Sequence, residues 1–261
     1  MLKKYTVKSL TNILKELFPL NLAEDWDKVG IQIGSPRKVV KNVLVVLDVT
    51  KYSIDYAIKN KVDLIVTFHP FLFNDSDFEK HPKQPWKKKI HERLINSGVS
   101  IYSMHTSFDK EWKGMPLAMS RKLGLENYSK PIKGLDHGLI FNWNKTLGQL
   151  MQHFKETFDL NATLSNIEKK RTKIKKFALL PGSGSCEDIQ LAFANNKIDL
   201  LVTSDIKWSD WITIDEEGLK VMEVSHVIEK VFIDHIANYL REMTKDIKIL
   251  SFQPKIIIKH S

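Results

Sequence analysis

The sequence predicts an α/β protein built of two similar lobes with mixed, mainly parallel sheets, and three observations carry that expectation. Residues 43–49 (VLVVLDV) and 62–67 (VDLIVT) are almost continuous runs of β-branched and leucine residues, the mark of strands buried on both faces. A helix-length segment separates them, and strand–helix–strand order implies a parallel crossover. Finally, Asn60–Thr67 (NKVDLIVT) returns almost letter for letter at Asn196–Thr203 (NKIDLLVT), a spacing far longer than any solenoid repeat. A duplicated α/β half is the natural reading.

Each element follows in order. Residues 6–18 put Leu10, Ile13, Leu14 and Leu17 on one face of an amphipathic helix, which Pro19 ends. The next segment, LAEDWDKVGIQIGSP, carries turn residues around a short apolar stretch. Strand 43–49 leads into a helix over 53–60, capped by Thr50 or Ser53, and then into strand 62–67. A helix around 87–97 follows Pro85, strand 99–104 ends in HTSFD, and a helix over 115–123 completes the first half. The turn-rich, polar segment 129–145 reads as a connection between lobes. Helix 146–158 and the charged stretch 165–176 precede a short strand at 177–180, the turn PGSGSCED, a helix near 187–195 and strand 198–203. A helix near 209–217, a strand at 219–224, a long helix at 227–243 and a terminal edge strand within 248–260 close the chain. The expected organisation is a first lobe over 1–128, a second over 129–218, and a segment over 219–261 that returns to the first lobe.

Composition narrows the classes of function. The chain has 261 residues, 43% of them apolar, too many for disorder and enough to bury a sizeable core. No apolar run reaches the roughly 20 residues of a membrane span, and the start MLKKYTVKSLTNILKELF has neither the apolar core nor the cleavage site of a signal peptide. A single Cys excludes an intramolecular disulfide framework. A cytoplasmic protein is expected. The formal charge of +9 points towards polyanions. However, 35 of the 40 basic residues are Lys, whereas readers of phosphate and guanine favour Arg. Compositional bias is the simpler reading of the charge, and nucleic acid stays a minor alternative.

In α/β sheets, ligands gather beyond the carboxyl ends of parallel strands. His69 follows strand 62–67, His105 and Asp109 follow strand 99–104, Asp205 follows strand 198–203, and His226 with Glu229 follows strand 219–224. Imidazole and carboxylate are the donors that Zn, Mn, Fe or Ni accept. PGSGS (181–185) reads as a tight Gly-rich turn rather than a phosphate cradle, since it lacks both the P-loop Lys and the dinucleotide spacing. Cys186 lies at a helix start, a position that lowers a thiol pKa, yet it has no His partner in sequence and reads as a packed residue. The run PWKKK (85–89) reads as a solvated helix start.

Taken in order, LAEDWDKVGIQIG, VTFHPFLF, YSMHTSFD, LPGSGS, LLVTSDIKW and SHVIEK resemble the Nif-three-like family, whose bacterial members are named GTP cyclohydrolase I type 2 homologues. The resemblance runs from about residue 5 to 245. It implies two α/β lobes facing a cleft, a dinuclear divalent-metal centre, and a toroidal homohexamer built as a trimer of dimers. Carried over residue by residue, it makes His69, Asp109, His226 and Glu229 the metal-ligand candidates, with His105 supporting a ligand or shuttling a proton. Two positions depart from the family pattern. Phe68 stands where the first of two consecutive His is usual. Lys230 stands four residues after His226, where a Glu is usual, and Glu229 comes one position early. On an α-helix, one position rotates a side chain by about 100°, turning Glu229 away from the metals. The departures imply one metal rather than two, or none, with the Lys230 ammonium paired to Asp109 in a metal's place. Two functions follow: a metal-dependent hydrolase acting on a purine-type or phosphate-ester substrate with an impaired site, or a non-catalytic ring that binds nucleic acid, protein or a small ligand.

Overall fold

The computed structural model describes residues 4–73, 84–126 and 129–253. The described residues divide into two units, one formed by those up to Gly114 together with those from Lys230 onward, and the other by those from Met115 to Glu229. These divisions fall at Gly114 and Glu229, whereas the sequence places them at 128 and 218.

The first unit opens with β1 (Tyr5–Thr6) and α1 (Val7–Leu17). Thr6 and Ser9 close a reciprocal capping box at the start of α1. The unit continues through β2 (Gly30–Ile33), β3 (Val39–Val40), β4 (Asn42–Val46), α2 (Lys51–Lys59), β5 (Leu64–Thr67), α3 (Trp86–Ser97), β6 (Ser100–Ser103) and α4 (His105–Lys110). The second unit holds α5 (Met115–Leu123), β7 (Ser129–Pro131), β8 (Leu139–Thr146), α6 (Leu147–Phe158), β9 (Leu164–Ser165), β10 (Lys173–Ser183), α7 (Cys186–Asn195), β11 (Leu200–Ser204), α8 (Trp208–Glu216) and β12 (Val221–Glu223). A 3-10 turn over His226–Lys230 ends this unit, and α9 (Val231–Met243) and β13 (Lys248–Phe252) belong to the first.

The main sheet of the first unit has the order β13-β4-β5-β6-β2, with β13, β4, β5 and β6 parallel and β2 antiparallel. In the second unit the order is β7-β8-β10-β11-β12-β9, parallel only from β10 to β12. The mixed, mainly parallel α/β class is as expected. The predicted C-terminal edge strand is present as Lys248–Phe252, while residues 254–260 lie outside the described part. Two sequence expectations are corrected. The segment 129–145 is not a polar connection: Leu139, Ile140 and Phe141 are buried in β8, which pairs antiparallel with β10. That partner in turn extends β10 back into the charged stretch, where Lys173 and Lys175 are exposed while Ile174 is buried. Among the described residues, no helix is long and apolar enough to cross a membrane.

The internal repeat is structural. In the first unit, Asp63 accepts the backbone amides of Lys41 and Asn42 at 2.8 and 3.1 Å. In the second, Asp199 accepts those of Lys175 and Lys176 at 2.8 and 2.9 Å. Four residues on, the hydroxyl of Thr67 donates to the carbonyl of Leu47, and that of Thr203 to the carbonyl of Gly182. The carbonyls of Thr67 and Thr203 receive the amides of Met104 and Val224. Each unit thus ties its successive strand ends together in the same way. The equivalence maps Asp109 onto Glu229 and Thr106 onto His226.

Candidate metal centre

The site residues of the first unit lie just past the carboxyl ends of β4, β5 and β6. Leu64–Thr67 is buried on both faces, so Phe68 and His69 are the first residues to leave the sheet. The Nδ1 of His69 lies 2.8 Å from Oδ1 of Asp48, which follows β4. This contact fixes the ring's orientation and presents Nε2 as the donor for a cation, the usual arrangement of a metal-ligating His.

His105 adopts φ +22° as it leaves β6 for α4, a backbone region uncommon for a non-glycine residue. Its Nδ1 lies 3.0 Å from Oδ2 of Asp27. The same carboxylate receives the Thr106 amide at 3.0 Å and its hydroxyl at 2.5 Å, while Thr106 accepts the amide of Glu24 at 3.0 Å. The segment LAEDWD is thereby stitched to HTSFD. The Asp27 side chain is shielded from solvent. Burial alone raises its pKa, but hydrogen bonds from His105 and Thr106 outweigh that and hold it below the ordinary carboxylate value. Asp109 stands half-buried one helical turn after His105.

Phe68 is fully buried, its ring 4.9 Å from that of His69, 5.3 Å from His105 and 5.3 Å from Phe232. The residue that departs from the family pattern is therefore an aromatic wedge on which both imidazoles rest.

In the second unit, Asp205 directly follows β11 with φ +53° and lies 2.5 Å from Nδ1 of His226. The other ring nitrogen of His226 is 2.8 Å from Oε2 of Glu229, whose side chain is 4% exposed. Burial disfavours the imidazolium, yet the hydrogen bonds and charges of Asp205 and Glu229 push the His226 pKa up to about 10. Glu229 is thus turned inward, contrary to the α-helical expectation. The reason is local. His226–Lys230 is a 3-10 turn, and at three residues per turn positions i and i+3 eclipse, placing Glu229 over His226. The helix predicted from 227 begins only at Val231.

The Gly-rich turn serves this pair. A Cβ on Gly182, which has φ +80°, would lie 2.7 Å from Oε1 of Glu229, and one on Gly184 2.6 Å from the Thr203 hydroxyl. These close backbone approaches support the tight-turn reading of PGSGS. Ser185 caps α7 by accepting the Asp188 amide. Burial and the carboxylates of Asp210 and Glu217 push the Cys186 thiol up, opposite to what its helix-start position suggested.

Sequence reasoning missed Asp27 and Asp48, which carry no motif of their own. The available signal was that Asp48 ends the strand run VLVVLDV, where ligand-supporting groups gather. The donor types suit a divalent cation: His69 in the first unit, and His226 with Glu229 in the second, offer imidazole and carboxylate atoms, and each of these histidines is oriented by an aspartate.

Parallel strand ends carrying Asp–His pairs in two duplicated α/β units define a protein with metal-competent donors. Residues 5–255 match the sequence model of Duf34/NIF3 (NGG1p interacting factor 3), and the chain belongs to that family. It is similar to the GTP cyclohydrolase 1 type 2 homolog of Mycoplasmopsis pulmonis, with 28% identity over 95% of this chain and 99% of the relative. A second relative of the same name, from Clostridium acetobutylicum, is 29% identical over 84% of this chain and 83% of its own length. In fold it resembles the crystal structure of a Bacillus cereus protein related to NIF3, with TM-score 0.84, 21% identity, and coverage of 98% of this chain and 100% of that one.

Proposed function

We propose that the protein is a divalent-metal-binding, hydrolase-like member of its family, with a reduced metal complement, acting on a purine-type or phosphate-ester substrate. The observation that carries this reading is an Asp–His pair past the parallel strand ends of each unit: Asp48 on His69 past β4 and β5, and Asp205 on His226 past β11 and β12. The candidate metal ligands are His69 and Asp109 in the first unit and His226 and Glu229 in the second. A bound divalent cation supplies Lewis acidity and makes water a competent nucleophile near neutral pH. The protein's own part is orientation. Asp48 and Asp205 orient their histidines, while Asp27, itself held by Thr106, orients His105 for proton transfer. Phe68 supplies no donor, and Lys230 adds a positive charge that opposes a second cation, so a single metal is expected.

Metal analysis of protein purified without chelators tests this. About one transition metal per chain is expected; two tightly bound would overturn the reduced complement, and none would overturn metal binding. Nucleotide hydrolysis that requires added metal and disappears in Asp109→Ala supports the hydrolase reading, whereas hydrolysis unaffected by that change refutes it. Family membership also supports assembly as a homohexamer. Light scattering should then give about six times the 30.2 kDa chain mass, and a monomer would refute the assembly.

A further inference from the structure

Three large aromatic side chains near the site of the first unit stay in solvent. Trp26 is 61% exposed, Trp86 46% and Phe73 37%. Single exposed aromatics are ordinary, but these belong to one constellation. The rings of Trp26 and Phe73 flank the imidazole of His105 edge-on, at centroid distances of 5.9 and 5.8 Å. The Nζ of Lys87 lies 5.5 Å from the ring of Phe71 and 5.7 Å from those of Phe73 and Trp86.

Trp26 and Phe73 come from different loops, and Gln32 fastens those loops together. Its Oε1 accepts the amides of Phe71 and Leu72 at 2.7 and 3.2 Å, and its Nε2 donates to the carbonyls of Leu72 and Lys28 at 3.0 and 2.8 Å. The backbones that carry the two rings are therefore tied together before any ligand arrives, which lowers the ordering cost of binding. The run PWKKK also takes on a role beyond a solvated helix start. Lys88 and Lys89 are exposed, but Lys87 is half-buried and lies over the rings. Burial lowers its pKa while Asp48 works in the opposite direction.

We propose that Trp26, Phe73 and Lys87 form a recognition lip for a nucleoside phosphate, the two rings stacking the planar base and the ammonium meeting the phosphate. Aromatic faces bind any base, and a neighbouring cation selects those that carry an anion. The lip borders His105, so a base held there leaves the rest of the nucleotide near the metal-competent strand ends. The assignment rests on the nucleotide form of the proposed function and names the residues that would recognise that substrate.

Calorimetry with GTP, guanosine and inorganic tripolyphosphate tests the lip on the wild type and on Trp26→Leu, Phe73→Leu and Lys87→Gln. Trp26→Leu and Phe73→Leu should each weaken GTP about tenfold, as loss of a stacking platform does, and leave tripolyphosphate unchanged. Lys87→Gln should weaken GTP and tripolyphosphate but not guanosine. The lip is refuted if wild type ignores GTP, if tripolyphosphate binds as tightly as GTP, or if the two ring variants bind GTP like wild type. Metal content measured on the same preparations separates the two proposals. Metal-free protein that shows the ring-variant losses refutes the metal reading alone, and metal-loaded protein blind to GTP refutes the lip alone.

Discussion

Asp48 holds His69 through an oxygen 2.8 Å from Nδ1, and this pair converts a strand-end histidine into an oriented donor. Asp48 is 45% exposed, so its contact contributes little to folding. Its value lies in fixing the imidazole. Asp48→Asn should lower metal affinity by about 10- to 100-fold, the usual range for an outer partner of a ligating His, with the melting temperature of metal-stripped protein almost unchanged. Competition against a chromophoric chelator measures the first and a thermal melt the second. Unaltered affinity would remove Asp48 from the site.

Asp27 differs because its side chain is fully shielded and its pKa is depressed below 3.8 in the folded state. The unfolded chain therefore takes up a proton at higher pH than the folded one does. The associated stability is fully present above the unfolded value and is lost as pH falls through the folded one. Asp27→Asn should cost about 1–3 kcal/mol at neutral pH, since the His105 and Thr106 donors lose a charged acceptor. Below about pH 4 the difference between the two proteins should begin to shrink, and it should vanish only below the folded value. Urea unfolding across pH 7 to 3 reads this, and a constant difference between them would contradict it.

How far the sequence spoke depended on where the information lay. Strands buried on both faces announce themselves by composition, so Val43–Val46, Leu64–Thr67 and Leu200–Val202 were legible, as was the repeat that Asp63 and Asp199 anchor. Half-exposed β8 and the lysine-bearing start of β10 were not, because their strand character comes from pairing with each other rather than from apolar content. In the site, single residues such as His69 and Glu229 were visible. The direction of Glu229 was not, because it turns on a choice between 3-10 and α backbone that no side-chain pattern near residue 226 specifies. Asp27 and Asp48 escaped notice because their partners lie 79 and 21 residues away.

Phe68 is the residue on which family pattern and packing disagree. It packs against Phe232 and both imidazoles with no exposed surface. Phe68→Ala should cost about 3–5 kcal/mol through loss of buried surface and the cavity left behind. Phe68→His restores the family's donor but places a polar ring in an aromatic cluster, so metal-stripped variant should melt well below wild type. Added zinc should raise its melting temperature more than it raises that of wild type, because ligand binding to the native state adds stability. A metal-stripped Phe68→His as stable as wild type would show that the wedge is dispensable.

The equivalence of Asp63 and Asp199 has an energetic counterpart. Each accepts two consecutive backbone amides, Asp63 at the entry to β4 and Asp199 from within the first half of β10. Asp63→Ala and Asp199→Ala should each destabilise by about 1–3 kcal/mol, the cost of leaving such donors unmatched. Because Asp63 also lies 3.5 Å from the ammonium of Lys38, a partly exposed pair, its variant should be the slightly worse of the two. Urea midpoints decide. An Asp199→Ala protein with wild-type stability would mean that the repeat survives in geometry alone.

Gly182 links backbone strain to the site. Its φ of +80° disfavours any Cβ, and a methyl there would lie 2.7 Å from Glu229 Oε1 and 4.0 Å from His226 Nε2. Gly218 has a similar φ of +67° but faces open space. Gly218→Ala therefore measures the strain alone, about 1–2 kcal/mol. Gly182→Ala adds displacement of a buried carboxylate that is paired with an imidazolium, and should cost at least about 1 kcal/mol more. If Glu229 is displaced, the grip on the His226 proton loosens, so the imidazole should titrate below its wild-type value of about 10 in metal-stripped protein. Histidine NMR titration reads that change, and urea unfolding reads the two costs. Equal costs with an unmoved His226 titration would show that Glu229 yields without loss, and that the Gly-rich turn does not shape the pair.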